Sequence, residues 1–191
     1  MNRKSIPTSA EFETREIDGV KYIEGYFSVF GAIYPLWDKG IETVDEGAFD
    51  LETDTDVRAL TNHDTTLVLG RTTAGTLELR TDERGLWGRI EINDADQDAV
   101  NLYERVKRRD VTQCSFGFDI LTEQVENRDD GVTVWHIQRV KLYEVSVCTF
   151  PAYEATEVQA RQKELEDINK RKLETWRAEM LSKLKGETYG T

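Results

Sequence analysis

The stretch Val111-Thr112-Gln113-Cys114-Ser115-Phe116-Gly117-Phe118-Asp119-Ile120-Leu121 alternates with a period of two. Read as a strand, it puts Cys114, Phe116, Phe118 and Ile120 on one face and Gln113, Ser115, Gly117 and Asp119 on the other. A run of aromatic and β-branched residues with this period belongs in a half-buried β-strand and fits no helix. Outward from it, residues 20–149 read as short strands rich in Val, Ile, Phe, Tyr and Thr between Gly and Asp turns, with strands expected at 20–30, 41–44, 57–63, 67–71, 75–81, 86–92, 111–122 and 132–149. Asp82-Glu83-Arg84-Gly85 and Arg128-Asp129-Asp130-Gly131 carry turn residues between apolar runs and predict two hairpins. Val100, Tyr103 and Val106 repeat at helical spacing and predict one helix at about 95–109. The expected fold is mainly β with peripheral α, a mostly antiparallel β-barrel with surface helices.

Beyond Pro151 the texture changes. No Gly or Pro occurs between residues 152 and 185, and Leu165, Ile168, Leu173, Trp176, Met180 and Leu184 form a narrow apolar stripe among charges, which predicts a C-terminal helix over about 155–186. Charge changes at the same place: residues 156–191 sum to +1 and residues 1–155 to −13. The expected organisation is an arm at 1–15, a domain at 16–155 and a helical tail at 156–191.

The net charge of −12 argues against a nucleic-acid partner, because phosphate contacts need clustered Lys and Arg. No run of about 18 apolar residues is present and the first residues do not read as a signal peptide, so no membrane partner and a cytoplasmic location are expected. Cys114 and Cys148 each lie in an apolar β-like run, as buried thiols do. No zinc spacing is present, and neither a metal nor a cofactor is expected.

Three residues stand out chemically. Ser115 points away from the apolar face, and Gly117, two residues on, leaves open space beside its hydroxyl where a peptide could approach. His63 ends the run Asp56-Val57-Arg58-Ala59-Leu60-Thr61-Asn62-His63-Asp64, and an imidazole is the side chain best suited to activate a serine at neutral pH. His136 is its rival, although its mid-strand setting in Val134-Trp135-His136-Ile137 suits an ordinary strand residue. Glu144, inside Leu142-Tyr143-Glu144-Val145-Ser146-Val147-Cys148, needs a partner if buried, either an imidazole N–H or an Arg or Lys of a neighbouring strand.

The succession Glu24-Gly25-Tyr26, Val29-Phe30, Glu46-Gly47-Ala48-Phe49-Asp50, Asn62-His63-Asp64, Leu69-Gly70-Arg71, Gly75-Thr76-Leu77, Gly85-Leu86-Trp87, Ser115-Phe116-Gly117-Phe118, Glu144-Val145-Ser146-Val147 and Phe150-Pro151-Ala152-Tyr153 resembles the prohead serine protease family of tailed phages, over roughly residues 16–161. The resemblance implies a β-barrel related to herpesvirus assemblin that acts in the host bacterial cytoplasm, inside the procapsid. Its implied substrates are the scaffold protein and a scaffold-like segment of the major capsid protein, and a homodimer is a possible form. It assigns His63 as base and Ser115 as nucleophile, and places Glu144 as an acidic third member where assemblins use a second histidine; Asp64 and Asp119 are the alternatives for that role. Two rival readings remain: a non-catalytic scaffold or capsid-assembly module, and a cysteine protease using Cys114. The C-terminal helix is expected to recruit the protease to the scaffold or capsid interior and to be removed by self-cleavage.

Overall fold

The computed structural model describes residues 4–5, 12–150 and 155–187. Along the chain run β1 (Lys4–Ser5), β2 (Glu13–Ile17), β3 (Val20–Val29), β4 (Tyr34–Trp37), β5 (Gly40–Val44), β6 (Arg58–Thr61), β7 (Asp64–Arg71), β8 (Leu77–Thr81), β9 (Gly85–Glu91), α1 (Gln97–Lys107), β10 (Gln113–Asn127), β11 (Thr133–Cys148) and α2 (Ala155–Glu187). The alternating stretch opens a long antiparallel hairpin of β10 and β11. Its turn is the one expected: the Arg128 N–H donates to the Val132 carbonyl at 2.9 Å, Asp130 accepts from the Val132 N–H, and Gly131 takes the left-handed conformation, φ 82°, that the turn requires. β10 continues past the expected end at 122, because Glu123, Gln124 and Glu126 keep pairing with Ile137, His136 and Val134 even though the apolar alternation has stopped.

The other edge of β11 is shared by two short strands. β5 lies parallel to Thr133–Ile137 and β6 parallel to Glu144–Val147. With β4 on β5, β7 on β6 and β1 on β10, these strands form a seven-stranded sheet, while β2-β3-β9-β8 form a four-stranded antiparallel sheet. The pairing is mostly antiparallel, as expected, but includes two parallel contacts, β5 and β6 on β11, that the sequence did not signal. Among the described residues neither sheet closes on itself, so the pairings give the mainly β architecture without the expected closed barrel. Strands β1, β2 and β4 were also not expected from the sequence: β2 is solvent-facing and polar, and β4 is only four residues long with a Pro at its second position.

The two sheets share one core. Ile23, Phe27, Leu86 and Ile90 of the four-stranded sheet and Phe116, Phe118, Val145 and Val147 of the hairpin are all at 0% exposure in one apolar cluster. Phe116 stacks on Phe118 at 4.7 Å and meets Phe49 edge-on at 5.3 Å. Helix α1 starts where Asp96 accepts from the Asp98 and Ala99 N–H groups, and buries Ala99, Leu102, Tyr103 and Val106; of the three residues whose spacing predicts it, Tyr103 and Val106 are buried and Val100 is half-buried.

The chain divides into compact units at 1–153 and 154–191. In the second, α2 is 33 residues long; Leu173, Trp176, Met180 and Leu181 of this helix are exposed, and Leu165 and Ile168 are half-buried. Leu184 of the expected stripe has a side chain outside the described residues. Among the described residues no helix is long and apolar enough to cross a membrane.

Candidate active site

The β6–β7 hairpin closes through two residues, Asn62 and His63, with Thr61 paired to Asp64. Both have positive φ, 52° and 60°, as a two-residue turn matched to the twist of its strands demands. Asn and His visit this region more often than most residues, but a non-Gly residue held there still costs about 1–3 kcal/mol, so the surrounding structure has to enforce it. That enforcement comes from β11. The Asn62 N–H donates to the Val147 carbonyl at 3.0 Å, Asn62 Oδ1 accepts from the Thr149 N–H at 2.9 Å, and the His63 N–H donates to Ser146 Oγ at 3.2 Å. The expectation that His63 lies at the end of a strand is therefore corrected to a tip residue of a hairpin turn fastened to the neighbouring strand.

The turn aims the imidazole at Glu144. His63 Nδ1 lies 2.7 Å from Glu144 Oε1; the carboxylate side chain is 4% exposed and the ring 27%. Of the two partners the sequence left open for Glu144, the structure supplies the imidazole. A register shift between Gly117 and Phe118 skips Tyr143, so Leu142 and Val145 both enter the core while Glu144 emerges on the opposite face. The Leu142 N–H at this bulge donates to Asp54 Oδ2 at 2.8 Å.

On the face with Glu144 stand Ser146 and Cys148 of β11 and, across the ladder, Gly117 opposite Glu144, Ser115 opposite Ser146 and Gln113 opposite Cys148. Gly117 does not open space for a peptide. A Cβ there would lie 2.3 Å from Glu144 Oε1, so the carboxylate itself fills the room the glycine leaves. Nor is Ser115 on an open strand face: it is at 0% exposure, and residues 114–118 of β10 are all buried. Alternation assigned the faces correctly but did not show that both are covered.

Burial alone would disfavour the charged form of His63. The hydrogen bonds to the Cys148 sulfur and the Glu144 carboxylate outweigh it and hold the imidazole well above its ordinary pKa. The rival histidine is different. His136 sits between two carboxylates, with Nδ1 3.2 Å from Asp45 and Nε2 3.1 Å from Glu126, so both ring nitrogens serve surface ion pairs. Asp64 is turned toward the Thr66 N–H and hydroxyl, and Asp119 accepts from the Tyr143 hydroxyl at 2.8 Å, so these contacts direct both alternatives elsewhere than at His63. Cys114 faces the other way, its thiol directed at the Tyr26 carbonyl in the core at 3.2 Å. Ser146 and Cys148 went unnoticed in the sequence, although counting by twos from Glu144 puts both on its face.

A carboxylate on Nδ1 of an imidazole fixes the ring's orientation and the tautomer, directing proton transfer to Nε2. The comparisons with known proteins agree with this class of chemistry: residues 9–171 match the family of caudovirus prohead serine proteases. The chain belongs to that family, and is a phage-type serine peptidase of capsid maturation. No curated protein and no solved structure matches the chain.

Proposed function

We propose that Ser115, His63 and Glu144 are the nucleophile, base and orienting carboxylate of an endopeptidase that cleaves scaffold protein, or the scaffold-like segment of the major capsid protein, inside the procapsid, and also cleaves itself. The observation that carries this reading is the 2.7 Å contact of His63 Nδ1 with a nearly fully buried Glu144, on the face of the hairpin that also holds Ser115. In the proposed reaction Ser115 Oγ attacks the scissile carbonyl carbon and its proton passes to His63 Nε2. Glu144 stays ionised and stabilises the imidazolium, which then protonates the leaving amine as the C–N bond breaks. Water, activated by the same nitrogen, hydrolyses the acyl group from Ser115 and restores the site. Since Ser115 is at 0% exposure, a peptide reaches it only after the cover over this face shifts.

A fluorophosphonate probe tests the assignment. It should add one phosphonyl group to the peptide that contains Ser115, at a rate reduced on the order of 10⁴-fold in His63→Ala, because members of such a triad act as a unit. Labelling of a different residue, or equal labelling of wild type and His63→Ala, contradicts it.

The same reading gives α2 a recruiting role: its exposed Leu173, Trp176, Met180 and Leu181 would dock on the scaffold or the capsid interior. Truncation after residue 161 should leave cleavage of free substrate intact and abolish incorporation into procapsids. Loss of folding or of free-substrate activity would overturn that role.

A further inference from the structure

The contacts around Glu144 close into a ring. The His63 N–H donates to Ser146 Oγ at 3.2 Å, the Ser146 hydroxyl donates to Glu144 Oε2 at 2.5 Å, and Glu144 Oε1 meets His63 Nδ1 at 2.7 Å. One hydroxyl thus holds both the backbone of the histidine and the carboxylate that orients its ring. We infer that Ser146 is a positioning residue for the reaction: it locks the His63 turn and the Glu144 carboxylate in a single geometry, and it takes no part in bond making itself.

The chemistry of the hydroxyl supports this role. Ser146 is at 0% exposure, its proton is committed to Glu144 Oε2 and its oxygen to the His63 N–H, so it cannot serve as the attacking serine even though it stands directly opposite Ser115. A short hydrogen bond to a buried carboxylate is among the stronger ones a neutral donor makes. It also occupies Oε2, which leaves Oε1 for the imidazole and prevents the carboxylate from rotating between the two. The left-handed His63 needs an outside anchor to stay in its strained conformation, and the Ser146 hydroxyl is the side chain that supplies one.

The inference rests on the proposed triad, and the test separates the two. Initial rates of peptide cleavage by the full chain would be measured for wild type, Ser146→Ala, Glu144→Gln and the double variant, with urea unfolding of each. Loss of a hydrogen bond to a charged group predicts that Ser146→Ala lowers kcat about 10- to 100-fold with KM nearly unchanged. Because Ser146 acts through Glu144, adding Ser146→Ala to Glu144→Gln should cost much less than it does in wild type, and Ser146→Thr, which keeps the hydroxyl, should recover most of the rate. A merely structural role would give losses that multiply in full. Should Ser146→Ala fail to fold, Ser146→Cys, nearly isosteric with a weak donor, takes its place. Unchanged kcat in the replacement, or full multiplication with Glu144→Gln, overturns the inference; unimpaired cleavage by Glu144→Gln overturns the triad instead.

Discussion

Gly117→Ala measures how far the carboxylate depends on the empty space across the ladder from it. The three atoms nearest the added methyl group all belong to the Glu144 side chain, so the strand can accept it while the carboxylate is pushed off the imidazole. The expected outcome is a folded protein with kcat reduced about 10-fold or more, in the range of a lost hydrogen bond to a charged group. Wild-type turnover in Gly117→Ala, by steady-state cleavage of a peptide, would show that the close contact is relieved without disturbing His63. This residue illustrates what sequence could and could not reveal. A glycine on the Ser115 face signals close approach, but the approaching group was read as substrate and is a side chain 27 residues away in sequence. Glu144 was legible as a buried carboxylate in need of a partner. Its partner was not, because only the β6–β11 pairing brings position 63 to position 144.

Among the elements, the β10–β11 hairpin was the most legible, since its apolar alternation, β-branched residues and Asp-Asp-Gly turn all point to one structure. Its length was underestimated where polar residues continue the ladder. The β6–β7 turn was missed for a physical reason: Asn-His lacks the glycine that normally signals a two-residue turn, and His63 keeps its positive φ only because β11 holds it. His63→Gly removes the strain but also leaves the buried Glu144 carboxylate without its imidazole partner, so near neutral pH it should lower stability by about 1–3 kcal/mol by urea unfolding, while activity is lost. Stability at or above that of wild type would mean that the strain of the turn outweighs the pair. In the core, Phe116→Ala removes a ring wedged between Phe49 and Phe118 and should cost about 3–5 kcal/mol by the same measurement. A cost below about 1 kcal/mol would show that the two sheets do not depend on this contact.

For the whole molecule, the mixed connectivity was hidden from the sequence, because parallel pairing of β5 and β6 to β11 joins segments about 90 residues apart with no local signal. Its chemical consequence is a buried imidazole–carboxylate pair that should set the pH dependence. Burial opposes the imidazolium, but the Cys148 and Glu144 hydrogen bonds prevail and raise the His63 pKa, so the free protein carries a protonated base near neutrality. Activity requires the neutral ring; kcat/KM should therefore rise with pH through a value above the ordinary histidine pKa of about 6.5. Stability runs the other way. A native pKa above the unfolded one means that the pair's contribution is complete below about pH 6.5 and is lost as pH rises through the native value. An activity limb at or below about pH 6.5 would contradict this description of the pair.

The central claim is that His63, and not His136, serves Ser115. Mass spectrometry of the cognate capsid and scaffold proteins after co-expression with wild type, Ser115→Ala, His63→Ala and His136→Ala tests it most directly. The account predicts discrete cleavage products with wild type and His136→Ala, and intact proteins with Ser115→Ala and His63→Ala. Products from His63→Ala together with none from a folded His136→Ala would contradict it.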